Sequence, residues 1–213
     1  MRTLLIWILT CLAWSGSVAA QEPAEDIALP DVRARLLEME ALDQQANQAV
    51  LNTAPGDTVA QSRLRAMKDS LYIAHAEEMA VLLDEHGWPG VSLVGKDGAN
   101  AAFLLAQHAD ARPKLQARSL PLLAEAVRAG DAPPRHLAYL TDRVRVGSDR
   151  PQVYGTQLGY DDEACPYPKP LEDPEGVDER RQSVGLEPLA EYVNGMSEML
   201  GRGDRCVWSA DEE

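Results

Sequence analysis

Apolar residues recur every three or four positions through the first part of the chain. The spacing holds across residues 32–50, breaks at the Pro55-Gly56 turn and returns across residues 64–82. Residues spaced in this way lie on one face of an α-helix. Asp57 stands where a carboxylate can cap the second helix. The pattern therefore predicts two helices that pair as an antiparallel hairpin with charged outer faces.

The segment at residues 98–109 is apolar on nearly all sides, which is typical of a helix buried at the centre of a domain. Its polar side chains Asn100, Gln107 and His108 fall on one face. A buried carboxamide or imidazole needs a partner, because each unsatisfied group costs roughly 1–3 kcal/mol. The preceding residues 88–95 contain a proline and two glycines, so they favour an ordered loop.

Proline and glycine divide the next part of the chain. Residues 113–130 carry a helical pattern that we expect to restart at Ser119, because Pro121 suits the first turn of a helix. The pair Pro133-Pro134 begins a further helix, and Gly147 ends it.

The strongest strand signal lies at residues 152–158, where side chains alternate between two directions. Gly155 allows close approach of another backbone or of a ligand. A proline-rich stretch at residues 164–174 forms a loop or a partner strand, and two short helical patterns follow it. The sequence predicts a mainly α fold, a single helical domain over residues 31–213 with a small β-hairpin near Gln152 to Pro168.

Residues 1–20 have the features of a signal peptide, with a positive charge at Arg2, an apolar run and small residues at the end. Residues 21–30 are acidic and contain two prolines, which predicts a flexible leader. No later segment reaches the length of a membrane span. We therefore expect a periplasmic or secreted protein with no integral membrane segment after signal removal.

Export determines how the two remaining cysteines, Cys165 and Cys206, are interpreted. Disulfides persist outside the reducing cytosol. Neither cysteine has a histidine neighbour or a Cys-x-x-Cys context that would make it reactive. We expect the two to pair and to close a loop of about 40 residues, a contribution on the order of 4 kcal/mol. Two free thiols are the alternative.

The charge balance is strongly acidic, with 20 Lys and Arg against 34 Asp and Glu and a formal net charge of -14. Such a balance opposes binding to nucleic acid or to anionic lipid. A solvated acidic surface accounts for it without a metal, and we expect Arg180 and Arg181 to lie on a solvated face too. The chain has no His-Glu-x-x-His motif, cysteine pair at zinc-site spacing or phosphate-binding glycine loop, so we expect no metal and no cofactor.

Two residues carry the candidate chemistry. His108 can act as a general acid or base, since imidazole titrates near neutral pH. Arg143 can bind a carboxylate or phosphate through its planar guanidinium. A buried histidine bonded to a carbonyl or to Asn100, and a structural salt bridge, are the alternatives. The candidate ligand-binding residues around them are Trp88, Gln107, Asp142, Tyr154 and Gln157.

Four short motifs follow one another along the chain. They are Gly87-Trp88-Pro89, Gln107-His108-Ala109, Tyr139-Leu140-Thr141-Asp142-Arg143-Val144 and Tyr154-Gly155-Thr156-Gln157. By these motifs the chain resembles a bacterial domain family of unknown function. The resemblance covers nearly the whole mature chain. It implies a shared fold and a shared site, and it implies no reaction.

Two functions from different classes are open at this point. In the first, the exported domain binds or transforms a small polar or peptide-like ligand in a pocket around His108 and Arg143. In the second, it is a non-catalytic interaction or envelope-associated module, and the same residues form a buried polar network. Access of water to His108 and Arg143 distinguishes the two. The sequence does not identify a substrate, an enzyme class or an oligomeric state.

Overall fold

The computed structural model of the protein describes residues 27–54 and 56–209. The predicted signal peptide and most of the predicted leader lie outside these residues. The described part is mainly helical and contains one small β-hairpin. Its elements are α1 (Pro30–Leu51), α2 (Thr58–His86), α3 (Val91–His108), α4 (Pro113–Arg128), α5 (Pro134–Val146), β1 (Leu158–Tyr160), β2 (Pro166–Pro168), α6 (Val177–Ser183) and α7 (Leu189–Met199).

The predicted pairing of α1 with α2 is confirmed. The amide of Ala60 donates to Asp57 Oδ1 at 3.0 Å, so Asp57 caps α2 as expected. Gly87 ends the helix with a φ of 71°, which favours glycine. Arg35 contacts Glu78, whereas Asp43, later in α1, contacts His75, which is earlier in α2. The order of the partners is reversed between the two helices, as an antiparallel pair requires.

Helix α3 is the buried central helix that the apolar segment predicts, and it packs against α1, α2, α4 and α5. The prediction of a loop through residue 95 is wrong, because a helical turn already begins at Val91. Asp131 makes this turn possible by accepting the Ser92 amide at 2.6 Å on its side chain. Within the segment predicted as a loop, the helix is interrupted only at Gly95, where a φ of 73° produces a kink.

Helix α4 runs without the restart that we expected at Ser119. Pro121 lies inside the helix and lacks the amide hydrogen that would bond to Ala117. Both residues are exposed, so water can reach the carbonyl that Pro121 leaves free. The Ser119 hydroxyl donates to the Leu115 carbonyl at 2.9 Å instead of capping a new helix.

The β-hairpin is confirmed, but its first strand lies later in the chain than predicted. Strands β1 and β2 are antiparallel, with Leu158 opposite Pro168. The strand prediction for residues 152–157 is wrong, because amides in this segment bond to the Asp142 side chain rather than to a neighbouring strand. Gln152 makes only an isolated bridge with Leu171.

The C-terminal part of the described chain has a small core of its own, formed by Val177, Leu189 and Val193. Cys165 and Cys206 form the predicted disulfide, with their Cα atoms 5.3 Å apart. Arg181 corrects a prediction, because its side chain is fully buried rather than solvated. Its guanidinium donates to the carbonyls of Tyr154 and Glu187 and faces the Tyr192 ring. Across residues 27–54 and 56–209, none of the helices could cross a membrane.

Candidate active site

A cleft of about 700 Å³ lies where α1, α2, α3 and α5 meet. The end of α3 and the residues just after it form one wall, and a turn of α2 forms another. The cleft contains both charge signs, two carboxamides and an imidazole. Its lining residues are Asn47, Lys68, Asp69, Tyr72, Ile73, Gln107, His108, Asp110, Ala111 and Arg143.

His108 enters the cleft from the last turn of α3. Its Nδ1 lies 3.0 Å from Asp43 Oδ2, and its ring stacks on Tyr72 with the centroids 4.8 Å apart. The side chain is 18% exposed, so solvent reaches part of the ring. Among the described residues no hydrogen bond reaches Nε2, which leaves that nitrogen for a ligand or water.

Asp43 joins two histidines. Its other oxygen, Oδ1, lies 2.6 Å from His75 Nδ1, and Asp43 itself is only 1% exposed. A buried carboxylate is costly unless hydrogen bonds satisfy it, and here each oxygen has one imidazole partner. The arrangement ties α1, α2 and α3 together directly behind the cleft.

Sequence reasoning missed Asp43 and His75, although the pattern contains a signal for both. Asp43 continues the buried stripe of α1 that begins with Leu36 and Met39. His75 stands in the buried stripe of α2 in the same way, beside Ala76 and Met79. A charged or titratable residue at a position reserved for apolar side chains is the feature that could have identified each of them.

Tyr72 covers the His108 ring from the α2 side. Burial, reinforced by the nearby Asp43 carboxylate, raises the pKa of Tyr72 to about 12. The phenol is therefore neutral at physiological pH, and it lines the cleft together with Asn47. The Lys68 ammonium lies over the Tyr72 ring, 5.2 Å from its centre.

Arg143 reaches the cleft from α5 and binds Asp110 through two nitrogens. The Nε to Oδ1 distance is 2.8 Å and the Nη2 to Oδ2 distance is 2.6 Å, while Nη1 donates to Gln157 Oε1 at 3.2 Å. Neighbouring side chains remove part of the hydration of Asp110, which opposes its ionisation, but the hydrogen bonds and charge of Arg143 outweigh this effect. The pKa of the Asp110 carboxyl consequently lies below its usual range.

A family model described as a family of unknown function, DUF6624, matches residues 30–203. The match covers well over half of the chain, and it agrees with the resemblance inferred from the four motifs. The chain belongs to DUF6624. Neither a curated protein nor a solved structure matches it.

The structure of this DUF6624 chain brings together only some of the predicted site residues. His108, Arg143 and Gln107 line the same cleft. Gln157 lines an adjoining cavity of about 470 Å³ that shares Asp110 and Arg143 with the cleft. The Arg143 guanidinium and the Asp110 carboxylate thus stand between the two spaces.

The other three predicted site residues lie away from the cleft of the DUF6624 chain. Trp88 is buried in the main hydrophobic core, and its indole nitrogen has no hydrogen-bond partner among the described residues. Asp142 is fully buried and accepts the amides of Val153 and Thr156 at 2.7 and 3.0 Å. The Tyr154 amide donates to Asp142, and the Tyr154 carbonyl accepts from Arg181. The Asp142 carboxylate thereby holds the segment of residues 153–156 on α5.

Metal-binding side chains are not clustered in the described part of this DUF6624 chain. Across residues 27–54 and 56–209, no group of at least three His, Cys, Asp or Glu side chains is placed to hold a metal ion. The side chains of the cleft present an imidazole, a guanidinium, an ammonium, a phenol, two carboxylates and two carboxamides. These groups can transfer a proton and bind an anion.

Proposed function

We propose that this DUF6624 chain binds a small polar or peptide-like ligand with an anionic group in the cleft, and that His108 transfers a proton to or from that ligand. The observation that carries the proposal is the placement of His108 and Arg143, from different helices, in one cleft open to solvent. An imidazole and a guanidinium in one water-accessible space are the two groups that such a reaction needs.

Arg143 supplies the anion site in this proposal. Its hydrogen bonds to Asp110 and Gln157 hold the guanidinium plane in position. The Asp110 carboxylate is 60% exposed, so a ligand carboxylate or phosphate can approach the same donors and exchange with it. Lys68 and Gln107 provide further donors at the edge of the cleft.

We also propose that the protein acts outside the cytosol, in the periplasm or the medium. The Cys165–Cys206 disulfide supports this, because structural disulfides persist in oxidising compartments. The signal-peptide pattern in residues 1–20 supports it independently. Detection of the mature chain in the periplasm or medium, with Gln21 at its N-terminus, tests this part of the proposal.

The ligand can be sought by thermal shift with a defined panel of amino acids, dipeptides, small dicarboxylates and phosphate monoesters. A ligand present at a hundred times its Kd stabilises the fold by about 2.7 kcal/mol, which raises the midpoint by roughly 5–11 °C for a domain of this size. Arg143→Gln should weaken the binding about ten- to hundredfold, because it removes charged hydrogen bonds. Arg118→Gln is the matched control, since Arg118 pairs with Asp84 on the surface of α4.

His108→Asn separates binding from chemistry. The Asn amide nitrogen can take the place of Nδ1 in the bond to Asp43, but Asn cannot accept a proton as imidazole does. We expect the variant to bind the ligand and to lose its conversion, followed by NMR of the ligand itself. If no compound in the panel shifts the wild-type midpoint, or if Arg143→Gln responds as wild type does, the proposal fails.

A second candidate function, a non-catalytic interaction or envelope-associated module, is favoured by one observation. The Arg143 guanidinium already has Asp110 and Gln157 as partners, as an arginine that only fixes packing would have. On this hypothesis Arg143→Gln and His108→Ala both lower the unfolding midpoint by several degrees, since each lost hydrogen-bonding group is worth about 1–3 kcal/mol. No compound then shifts the wild-type midpoint.

A further inference from the structure

We infer that Asp43 and His75 are positioning residues that fix His108 as a proton acceptor, with Nε2 as the accepting atom. The inference rests on the proposed function and adds the direction of the proton transfer. Asp43 and His75 are both buried and do not line the cleft. They act on the ligand only through His108.

The tautomer of His108 follows from the chemistry of its partner. A carboxylate has lone pairs and no hydrogen, so it can only accept hydrogen bonds. Asp43 lies 3.0 Å from His108 Nδ1 and 2.6 Å from His75 Nδ1, which makes both nitrogens donors. A neutral imidazole with its hydrogen on Nδ1 has a lone pair on Nε2. In His108, Nε2 is the ring nitrogen that is left for the cleft.

His75 determines the orientation of the carboxylate. Without its N–H, Oδ1 of the buried Asp43 would lose its partner, and the carboxylate could turn away from His108. The Tyr72 ring, nearly parallel to the His108 ring at an interplanar angle of 8°, restricts rotation of the imidazole from the other side. The imidazole is thus held both in its plane and in its tautomer.

The other side chains of the cleft are poorly suited to accept a proton. Asp110 lies beside the Arg143 guanidinium, which keeps the pKa of its carboxyl below the usual range and makes it a weak base. An ammonium such as that of Lys68 has donors and no lone pair, and the raised pKa of the Tyr72 phenol keeps its proton in place. Asp69 lies on the exposed rim. His108 Nε2 is therefore the acceptor that the geometry assigns.

The proton transfer itself is simple to balance. An X–H bond of the ligand, or of a water beside it, breaks, and an Nε2–H bond forms. The electron pair of the broken bond stays on X. His108 becomes an imidazolium whose charge faces the Asp43 carboxylate, while the negative charge on the ligand side faces Arg143. The two charges of the step thus each have an opposite charge already in place.

The test is the tautomer of His108, measured by nitrogen-15 NMR of the histidine rings at about pH 8, where ordinary imidazoles are neutral. We expect a protonated Nδ1 and an unprotonated Nε2 for both His108 and His75. His86, which is partly exposed at the end of α2, serves as the internal reference and should show the Nε2–H form that free imidazole side chains prefer. An Nε2–H or doubly protonated His108 would overturn the inference.

Asp43→Asn tests the role of the carboxylate. An amide has an acceptor on one side and a donor on the other, so it cannot accept from both histidines. We expect one of His75 and His108 to move its hydrogen to Nε2. Unchanged tautomers for both would show that Asp43 does not set them. If this variant does not fold, the wild-type spectrum and the His75 variants still decide.

His75→Asn and His75→Leu form a matched pair. The Asn amide can replace Nδ1 as the donor to Asp43, so His108 should keep its wild-type ring signals. Leu cannot donate, so signals of the Nε2–H form of His108 should appear. Equal spectra for the two variants would remove His75 from the positioning role. No ligand is needed for these spectra, so they can fail while the ligand panel succeeds, and the reverse holds too.

Discussion

Asp142 shows how one buried side chain can replace the hydrogen bonds of a strand. Its carboxylate accepts the amides of Val153, Tyr154 and Thr156 as well as the Thr156 hydroxyl, at distances from 2.7 to 3.1 Å. The segment after α5 therefore wraps around a charge instead of pairing with a strand. Hydrogen bonds to a charged group are worth about 1.5–3 kcal/mol each, more than those between neutral groups.

Asp142→Asn should lower the free energy of unfolding by about 3 kcal/mol or more, because the new amide hydrogens would point at backbone donors. The measurement is denaturant unfolding at neutral pH. Asp84→Asn is the control, since Asp84 is exposed and pairs only with Arg118, and its effect should stay within about 0.5 kcal/mol. Equal effects of the two substitutions would mean that the Asp142 contacts contribute little to stability.

His136 makes the stability depend on pH. The ring is buried against Phe103, with the centroids 4.0 Å apart, and no residue of the described chain hydrogen-bonds to Nδ1. Burial, with a smaller effect of the Arg135 charge, lowers the pKa of His136 from 6.5 to about 4. Between these values the unfolded chain binds a proton that the folded chain does not. The stability contribution of His136 is thus full above about pH 6.5 and is lost as the pH falls towards 4.

His136→Leu should remove this dependence. Measured by denaturant unfolding, the variant should gain on the order of 3 kcal/mol relative to wild type between pH 7 and pH 4, because a pKa difference of one corresponds to 1.36 kcal/mol. His86→Leu, at the accessible end of α2, should show no such gain. A constant difference between wild type and His136→Leu across this range would contradict the assigned protonation.

At the scale of elements, local pattern predicts the helices and fails where partners are distant in sequence. The helical spacing identified α1, α2 and α5 because their hydrogen bonds lie within the element. The turn that begins α3 depends on Asp131, which lies 39 residues further along the chain. Residues 152–157 likewise depend on Asp142. Neither contact leaves a local trace in the sequence.

The same distinction between local pattern and contacts distant in sequence applies to the candidate site. His108 and Arg143 could be proposed from single positions, because His108 is a polar residue on an apolar helix and Arg143 is a cation within a short motif. The contact of Asp43 with His75 and His108 joins residues 32 and 65 positions apart. It becomes visible only once three helices are packed together.

Gly90 tests the start of α3. A Cβ atom at this position would lie 2.0 Å from Asp131 Oδ2, so Gly90→Ala should displace the carboxylate that holds the first turn. We expect a loss of about 1–3 kcal/mol in thermal unfolding. Gly195→Ala is the matched control, because Gly195 lies inside α7 with no atom within 4 Å of its Cβ position. The control should gain about 0.5–1 kcal/mol.

At the scale of the whole molecule, the described chain contains a large core around α3 and a small one between α6 and α7. The small core has few buried apolar residues, and the residues after α7 cover it through Trp208, which exchanges two hydrogen bonds with Asn194. The Cys165–Cys206 disulfide ties this final segment to the hairpin. Covalent linkage therefore supplies stability where apolar burial is limited.

Removing the disulfide by a Cys165→Ser and Cys206→Ser double substitution should cost about 4 kcal/mol, since the linked residues are 41 positions apart in sequence. The unfolding midpoint should fall by roughly 8–16 °C. Wild type treated with a reductant should behave in the same way. A midpoint that resists both treatments would show that the C-terminal segment is held by its non-covalent contacts alone.

Asp142 and Arg143 are neighbours on α5, yet one holds the segment of residues 153–156 and the other lines the cleft. The amide hydrogens of that segment can exchange with deuterated solvent only when the segment leaves Asp142. We expect a molecule bound to Arg143 to stabilise this turn of α5, which also contains the preceding residue, Asp142. Deuterium uptake at Val153, Tyr154 and Thr156 that is slower with a ligand than without it would therefore report that the cleft is occupied. The reporting amides lie outside the cleft.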